Sequence, residues 1–285
     1  MTSFGGAFGI EKGITIRPSS TANLMVDSAD RPNPTTSSPF DFQISKGQAL
    51  LNGFFTRVAT TEVVLEWCMN NVPDTAIVCD ISGVNHTINV VGGLYTVSEL
   101  LNEIVNLLDG LSIPKYNFSI NNAVGGGYVG IFSGAGNLDY SFISDDTGLL
   151  NRLGIELNQY QPEQLVVCPD LRPYRYIDFV SSQLTYPQDL RDASTNKQVR
   201  DVLCRWYFAD DGPEALDQYG FPILMGYTRF CRRRLFNPPK YIKWDNTLPV
   251  GNLAFQVYGN DGNIVSSPSN VEDTNWLMTL QLSEN

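Results

Sequence analysis

The sequence contains a single histidine, His86, and that scarcity removes much chemistry. Hydrolytic triads of the Ser–His–Asp kind need an imidazole between nucleophile and carboxylate, and catalytic zinc sites commonly use two or three. His86 lies in GVNHT, which reads as a turn, so a solvated turn residue is expected there. Cysteine is also sparse. Cys68, Cys79, Cys168, Cys204 and Cys231 are odd in number, scattered and never spaced C-x-x-C, whereas disulfide frameworks and zinc sites need paired spacing. Free, mostly buried thiols in a reducing compartment are the expectation. No run approaches 18 apolar residues, the length that would suggest a membrane-spanning helix. The opening MTSFGGAFGIEKG lacks the basic stretch and apolar core of a signal peptide. A soluble product made inside a cell is expected, with the sequons at Asn85 and Asn117 unmodified.

Charge is the next shortage. Only 17% of residues are charged, against about 25% in an average soluble domain. Such a surface suits a protein whose exterior is covered by other protein; it also suits a β-rich protein with a Ser, Thr and Asn exterior. Acidic residues outnumber basic ones by 30 to 19, a net charge of −11. Proteins that neutralise many phosphates need a basic face, so specific nucleic-acid binding is not expected.

What is present is mostly β. Residues 1–38 are rich in Ser, Thr, Asn, Gly and Pro, too polar to offset their ordering entropy by burial, and read as a flexible N-terminal arm. From Pro39, PFDFQI alternates, and RVATTEVVLEWCM is β-branched and poor in helix formers. A helix interrupts this texture. Thr96 and Glu99 form a capping box, Val97, Leu100, Leu101, Ile104, Leu107 and Leu108 share one face, and Gly110 offers a left-handed stop. NFSI, YVGIFS and LDYSFIS then read as short strands, LLNRLGI as a helical turn ending at Gly154, and QPEQLVVCPDLRP as a Pro-punctuated connector. Residues 77–165 are thus expected to be an inserted α+β unit within a jelly-roll domain made of 39–76 and 166–285. After Tyr174 the strands resume. In the last two, Leu253, Phe255 and Val257 share one face, and Trp276, Met278, Leu280 and Leu282 share another. The predicted fold is predominantly all-β: a single eight-stranded jelly-roll sandwich carrying a small α+β insertion.

Few motifs suggest chemistry. Residues 125–130 match G-x-G-x-x-G, but the following IFSGAG is strand and turn, whereas a dinucleotide site must open a helix. Asp145-Asp146, Asp210-Asp211 and Glu272-Asp273 are paired acids of the type a glycosidase places across a cleft, yet each sits in a turn-rich stretch. Asp261-Gly262 reads as a hairpin turn. No catalytic, cofactor-binding or metal-binding residues are assigned. The strongest local charge feature is Arg229, Arg232, Arg233 and Arg234. On a strand, Arg232 and Arg234 share a face and Arg233 takes the other. Because guanidinium groups pair bidentately with carboxylates, these four form a candidate subunit interface, with a solvated strand face as the alternative.

Several blocks, taken in order, resemble one family. They are LMVDSADR leading into SPFDFQI, then VVLEWCMNNVPDT, INVVGGLYTVSELLNEI and GLLNRLGI. The most specific are FNPPKYIKWDNTLPVGNLAFQVYGNDG and the closing NWLMTLQLSE. The set resembles the single jelly-roll penton, or minor capsid, proteins of virophages, Polinton-like viruses and related double-stranded DNA viruses. The resemblance runs through nearly the whole chain, except the glycine-rich segment around Gly125. It implies a structural role without catalysis or cofactor: a homopentamer at the fivefold vertices of an icosahedral virion, assembled inside the host cell and surrounded by major capsid protein capsomers. Alternatives from other classes are a glycan-binding attachment module, a capsid cement protein and a β-sandwich hydrolase.

Overall fold

The computed structural model describes residues 21–34, 37–45, 55–122, 129–134, 138–185, 202–208, 215–223, 227, 229–243, 251–266 and 274–284. In chain order, β1 (Thr21–Asp27), β2 (Asp41–Ser45) and β3 (Arg57–Trp67) open the fold. Next come β4 (Thr75–Ile81), β5 (Val84–Val90), α1 (Val97–Gly110), β6 (Ser119–Asn122), β7 (Val129–Phe132), β8 (Tyr140–Asp145), α2 (Leu149–Leu153) and β9 (Glu163–Val166). The chain closes with β10 (Tyr176–Val180), α3 (Ser182–Thr185), β11 (Val202–Tyr207), β12 (Phe230–Leu235), β13 (Tyr241–Lys243), β14 (Asn252–Gly259) and β15 (Asn275–Ser283).

Eight of these strands form two antiparallel sheets, ordered β1-β15-β3-β12 and β11-β10-β14-β2. This is the jelly roll that the alternating segments predict, with the insertion in the connection from β3 to β10. β13 extends the line of β12 along β3, opposite Arg57–Ala59. Pro238 and Pro239 separate the two pieces, since neither has an N–H to give to the ladder. Opposite, the β3–β15 register slips between Thr279 and Leu280, a bulge that bends the long central strand.

Inward residues of both sheets fill an interior in which aromatic rings stand among a larger number of aliphatic side chains. Trp276 meets Phe42 at 5.5 Å, Phe179 at 5.2 Å and Phe255 at 5.9 Å between ring centroids. Its indole N–H donates to the Pro39 carbonyl at 2.8 Å, so the polar end is satisfied where the ring is buried. Trp67 packs edge-on against Phe208 at 4.7 Å.

The insertion has its own interior. The sheet β5-β4-β8, the sheet β6-β7-β9 and α1 enclose Ile77, Ile88, Leu100, Leu101, Ile104, Ile131, Tyr140 and Phe142. The capping box forms as predicted: Glu99 N–H donates to Thr96 Oγ1 and Thr96 N–H to Glu99 Oε2, at 3.2 and 2.8 Å. α2 ends at Gly154 with φ +70°, and a Cβ there would lie 1.9 Å from the Val167 carbonyl oxygen. Both facts demand glycine.

Several expectations are corrected. The stretch expected to be an arm contains β1, which pairs with β15 along its whole length; burial of Val26 and a ladder supplied from the far end of the chain offset its polarity. Residues 1–20 lie outside the described residues. Gly110 is the last residue of α1 and not its left-handed stop; that conformation falls to Ser112, φ 52°. Four residues of the Pro-punctuated connector, Glu163–Val166, are β9, drawn into a ladder by β7. His86 is within β5, half-buried. The turn is Ser82-Gly83, whose two positive φ values suit a two-residue hairpin. α3 falls where strand was expected, held by Leu184 and Thr185 N–H bonds to the Ser181 carbonyl.

Candidate assembly surface

β11 and β12 are the terminal strands of their sheets, and they lie on the same side of the sandwich. Phe208, just beyond β11, packs edge-on against Phe230 at the start of β12, 6.1 Å between centroids. Opposed residues of an antiparallel pair share a face, so the β12–β3 register fixes where each arginine sits. Arg232 is opposite Leu65 and Arg234 opposite Val63, both core residues; Arg233 is opposite Val64. Arg232 and Arg234 thus share a face as predicted, and that face is the inward one, at the rim where the core ends. Arg233 takes the outer face and bonds Glu62. That pair is exposed and contributes little stability, at most about 1 kcal/mol. Arg229 precedes the strand and is exposed.

Arg234 reaches across the rim to the other sheet, its guanidinium carbon 5.9 Å from the Tyr207 ring and 5.8 Å from Phe236. From the far side, Arg205 approaches the same ring at 5.9 Å and stacks on Tyr176 at 3.8 Å. Arg205 is bidentate to Asp178 at 2.6 and 2.8 Å, which holds its guanidinium more firmly in the charged form than usual against the opposing effect of partial burial. The side is therefore an interleaved band of arginine and tyrosine. Inward-pointing charge on an edge strand discourages strand-to-strand pairing. The β11 half of this band was missed in the sequence; the signal lay in YRYIDF and CRWYF, whose alternation places Tyr176 opposite Tyr207 and Asp178 opposite Arg205.

Against known proteins, no family model and no curated sequence matches. Solved structures do. The mavirus penton protein superposes with a TM-score of 0.51 at 13% identity, covering 94% of this chain and 100% of that one. A chain in the cryo-EM structure of the Sputnik virophage gives 0.50 at 11%, covering 94% and 98%. The fold is that of a virophage penton protein. A share that large takes in the insertion as well as the jelly roll.

In this penton fold the insertion is joined to the sandwich by two connections, and Arg152 at the end of α2 binds both. It donates to the carbonyls of Asn71 at 3.0 Å in the first connection and of Leu171 and Asp170 in the second. Asn71 exchanges two bonds with the Tyr95 backbone, and the Leu171 N–H bonds Tyr227 Oη. Burial lowers the tendency of Arg152 to stay charged, opposed by Asp170 and Tyr227. Beside it, Arg172 is bidentate to Asp170. Burial pushes that carboxyl up, but the Arg172 bonds win and hold it below the usual carboxylate range.

The paired acids resolve into structural roles where they are described. Asp145 accepts from the N–H groups of Thr147, Leu149 and Leu150 at the start of α2, and Asp146 from Ala76. Asp210-Asp211, Glu272-Asp273 and most of the glycine-rich segment lie outside the described residues. Among the described residues no group of three or more His, Cys, Asp or Glu is arranged to hold a metal, and no helix is long and apolar enough to cross a membrane.

Proposed function

We propose that this protein is a structural capsid subunit, without catalytic activity or cofactor, that forms a homopentamer at the fivefold vertices of an icosahedral double-stranded DNA virus. The observation that carries this is the penton fold over 94% of the chain, insertion included. A sandwich closed by two sheets is a rigid block, and rotational repetition of one contact makes a self-limiting ring. The low charged fraction, 17%, fits an exterior covered by copies of itself and by capsomers of the major capsid protein. Arg229, Arg232, Arg233 and Arg234 are assigned to the contact between copies. The proposed place of action is the virion vertex, reached by assembly inside the host cell.

Electron microscopy and analytical ultracentrifugation of the purified chain test this. Fivefold rings, and density for the chain at particle vertices, are expected. A monodisperse monomer at every concentration, absent from particle vertices, overturns the reading.

A further inference from the structure

Among the described residues, edge segments on the two long sides of the sandwich carry opposite charge, with Arg233 of the basic run already paired to Glu62 of β3. On the β11–β12 side, residues 229–243 hold six of the nineteen Lys and Arg of the chain and not one Asp or Glu. Arg232, Arg233, Lys240 and Lys243 in this run are exposed. The opposite side is bounded by β1 and β2. Its described charged residues in 21–45 are Asp27, Asp30, Asp41 and Arg31. Arg31 is 4% exposed, its guanidinium turned onto the carbonyls of Ser28, Pro34 and Ser37 at 2.8 Å each. Asp30 and Asp41 face solvent. One side therefore presents cations and the other carboxylates, although the chain as a whole is strongly acidic.

From this we infer that copies join head to tail, the β11–β12 side of one against the β1–β2 side of the next. The inference rests on the ring proposed above and names the surfaces that close it. A contact between two different patches is heterologous, the kind that generates rings when its rotation closes. Two chains of net charge −11 repel at long range, but at about 0.15 M salt that repulsion is screened beyond about 8 Å. Short-range pairing across the sides then decides which surfaces meet, since like-charge juxtaposition disfavours the others. The inward arginines of β12 block addition of a neighbouring strand, which leaves guanidinium–carboxylate pairing as the mode of contact.

Charge swaps test the inference in the full chain. R232E/R234E and D30K/D41K should each weaken ring formation by about tenfold or more, because each sets like charges face to face. The chain carrying all four changes has complementary sides again, with the signs exchanged, and should recover rings. Arg234 also packs on Tyr207, so K240E/K243E reads the same charge without disturbing that ring, and the same loss is expected. Rings in the wild type that persist unchanged in all three two-site variants overturn the inference while leaving the ring itself standing. Failure of the four-site chain to recover, at an unaltered melting temperature, also overturns it. A wild type that never forms rings overturns the function proposed above instead. Binding of a duplex DNA probe that R232E/R234E abolishes, with rings intact, assigns the basic side to nucleic acid and overturns the contact between copies.

Discussion

The sandwich takes its interior from residues as far apart in the chain as Val26 and Leu282, whereas the insertion takes nearly all of its own from the stretch between Val72 and Leu171. The first is sheet on sheet and the richer in aromatic rings; the second packs a helix and two small sheets and has fewer of them. In the sandwich, Trp276 N–H bonds Ser28 Oγ across 248 positions, so its closure waits on both ends of the chain. The insertion closes on the β4–β5 and β6–β7 hairpins, a well-capped helix and the β4–β8 and β7–β9 ladders, contacts that bridge shorter stretches of chain and so cost less loop entropy. The lesson is that one chain holds a frame built from distant segments and a more local passenger, coupled through Arg152.

The largest way to break this contrast is to remove β1. Deleting residues 1–38 takes away seven paired residues of β15's ladder and is expected to abolish cooperative unfolding of the sandwich, while deletion of 1–20 leaves β1 in place and the melting curve near wild type. Circular dichroism and hydrogen exchange separate the outcomes.

Trp276→Ala should cost about 3–5 kcal/mol and expose amides of β3, β14 and β15 to exchange, with α1 still protected. Ile104→Ala, at about 2–5 kcal/mol, should do the reverse. If both variants open both cores equally, the two interiors are one cooperative unit and the contrast fails.

Arg152→Met keeps the unbranched stem of the side chain and removes its bonds to three carbonyls. Charge-assisted bonds contribute about 1.5–3 kcal/mol each before the cost of burying the cation is set against them, so a net loss of about 2 kcal/mol is expected. Its mark should be a single melting transition that splits into two, as sandwich and insertion uncouple.

The contrast extends to pH. Burial pushes the Cys204 thiol up to about 12 and the Cys79 thiol up to about 11, from 9.0, one in each interior. Between pH 9 and those values the unfolded chain has lost protons that the folded chain keeps, so stability is full below about pH 9 and falls as pH rises. Cys204→Ala should flatten the decline in the sandwich and Cys79→Ala that in the insertion, read by melting across pH 8 to about 11.

Where a pattern and its cause were both local, the sequence was legible. β14 and β15 follow from strict alternation, α1 from its capping box and apolar stripe, and the end of α2 from Gly154. The jelly roll itself was readable from strand count and from family resemblance. β1 and β9 were not legible as strands, because their ladders come from partners elsewhere: TANLMVD alternates, Ala22, Leu24 and Val26 packing on the core, but exposed Met25 and the polar residues around the segment obscure it, and EQLV sits among prolines. The shared face of Arg232 and Arg234 was legible from period two, but not that it points inward, which depends on β3 lying opposite.

Residues 215–223 carry no motif in the sequence, and Tyr227 falls in LMGYTRFCRRRLF, which reads as strand. Residues 215–223 brace α1: the Ser98 N–H bonds Asp217, and Tyr219 Oη bonds Asn102, while Tyr227 is buried in the interior of the insertion. No local signal announces such a brace, since its polar partners lie more than a hundred positions away.

By itself the sequence determined the material of this protein: a β-rich chain with one strongly capped helix, little imidazole and a single run of cations. Side-chain periodicity and composition are properties of consecutive residues, so they can be read along the chain. Only tertiary structure decided that β11 and β12 share one side of the sandwich and β1 and β2 the other, and hence that cations and carboxylates stand on opposite sides of the same block. That arrangement depends on how twisted sheets pair and stack across distant segments, and no stretch of consecutive residues encodes it.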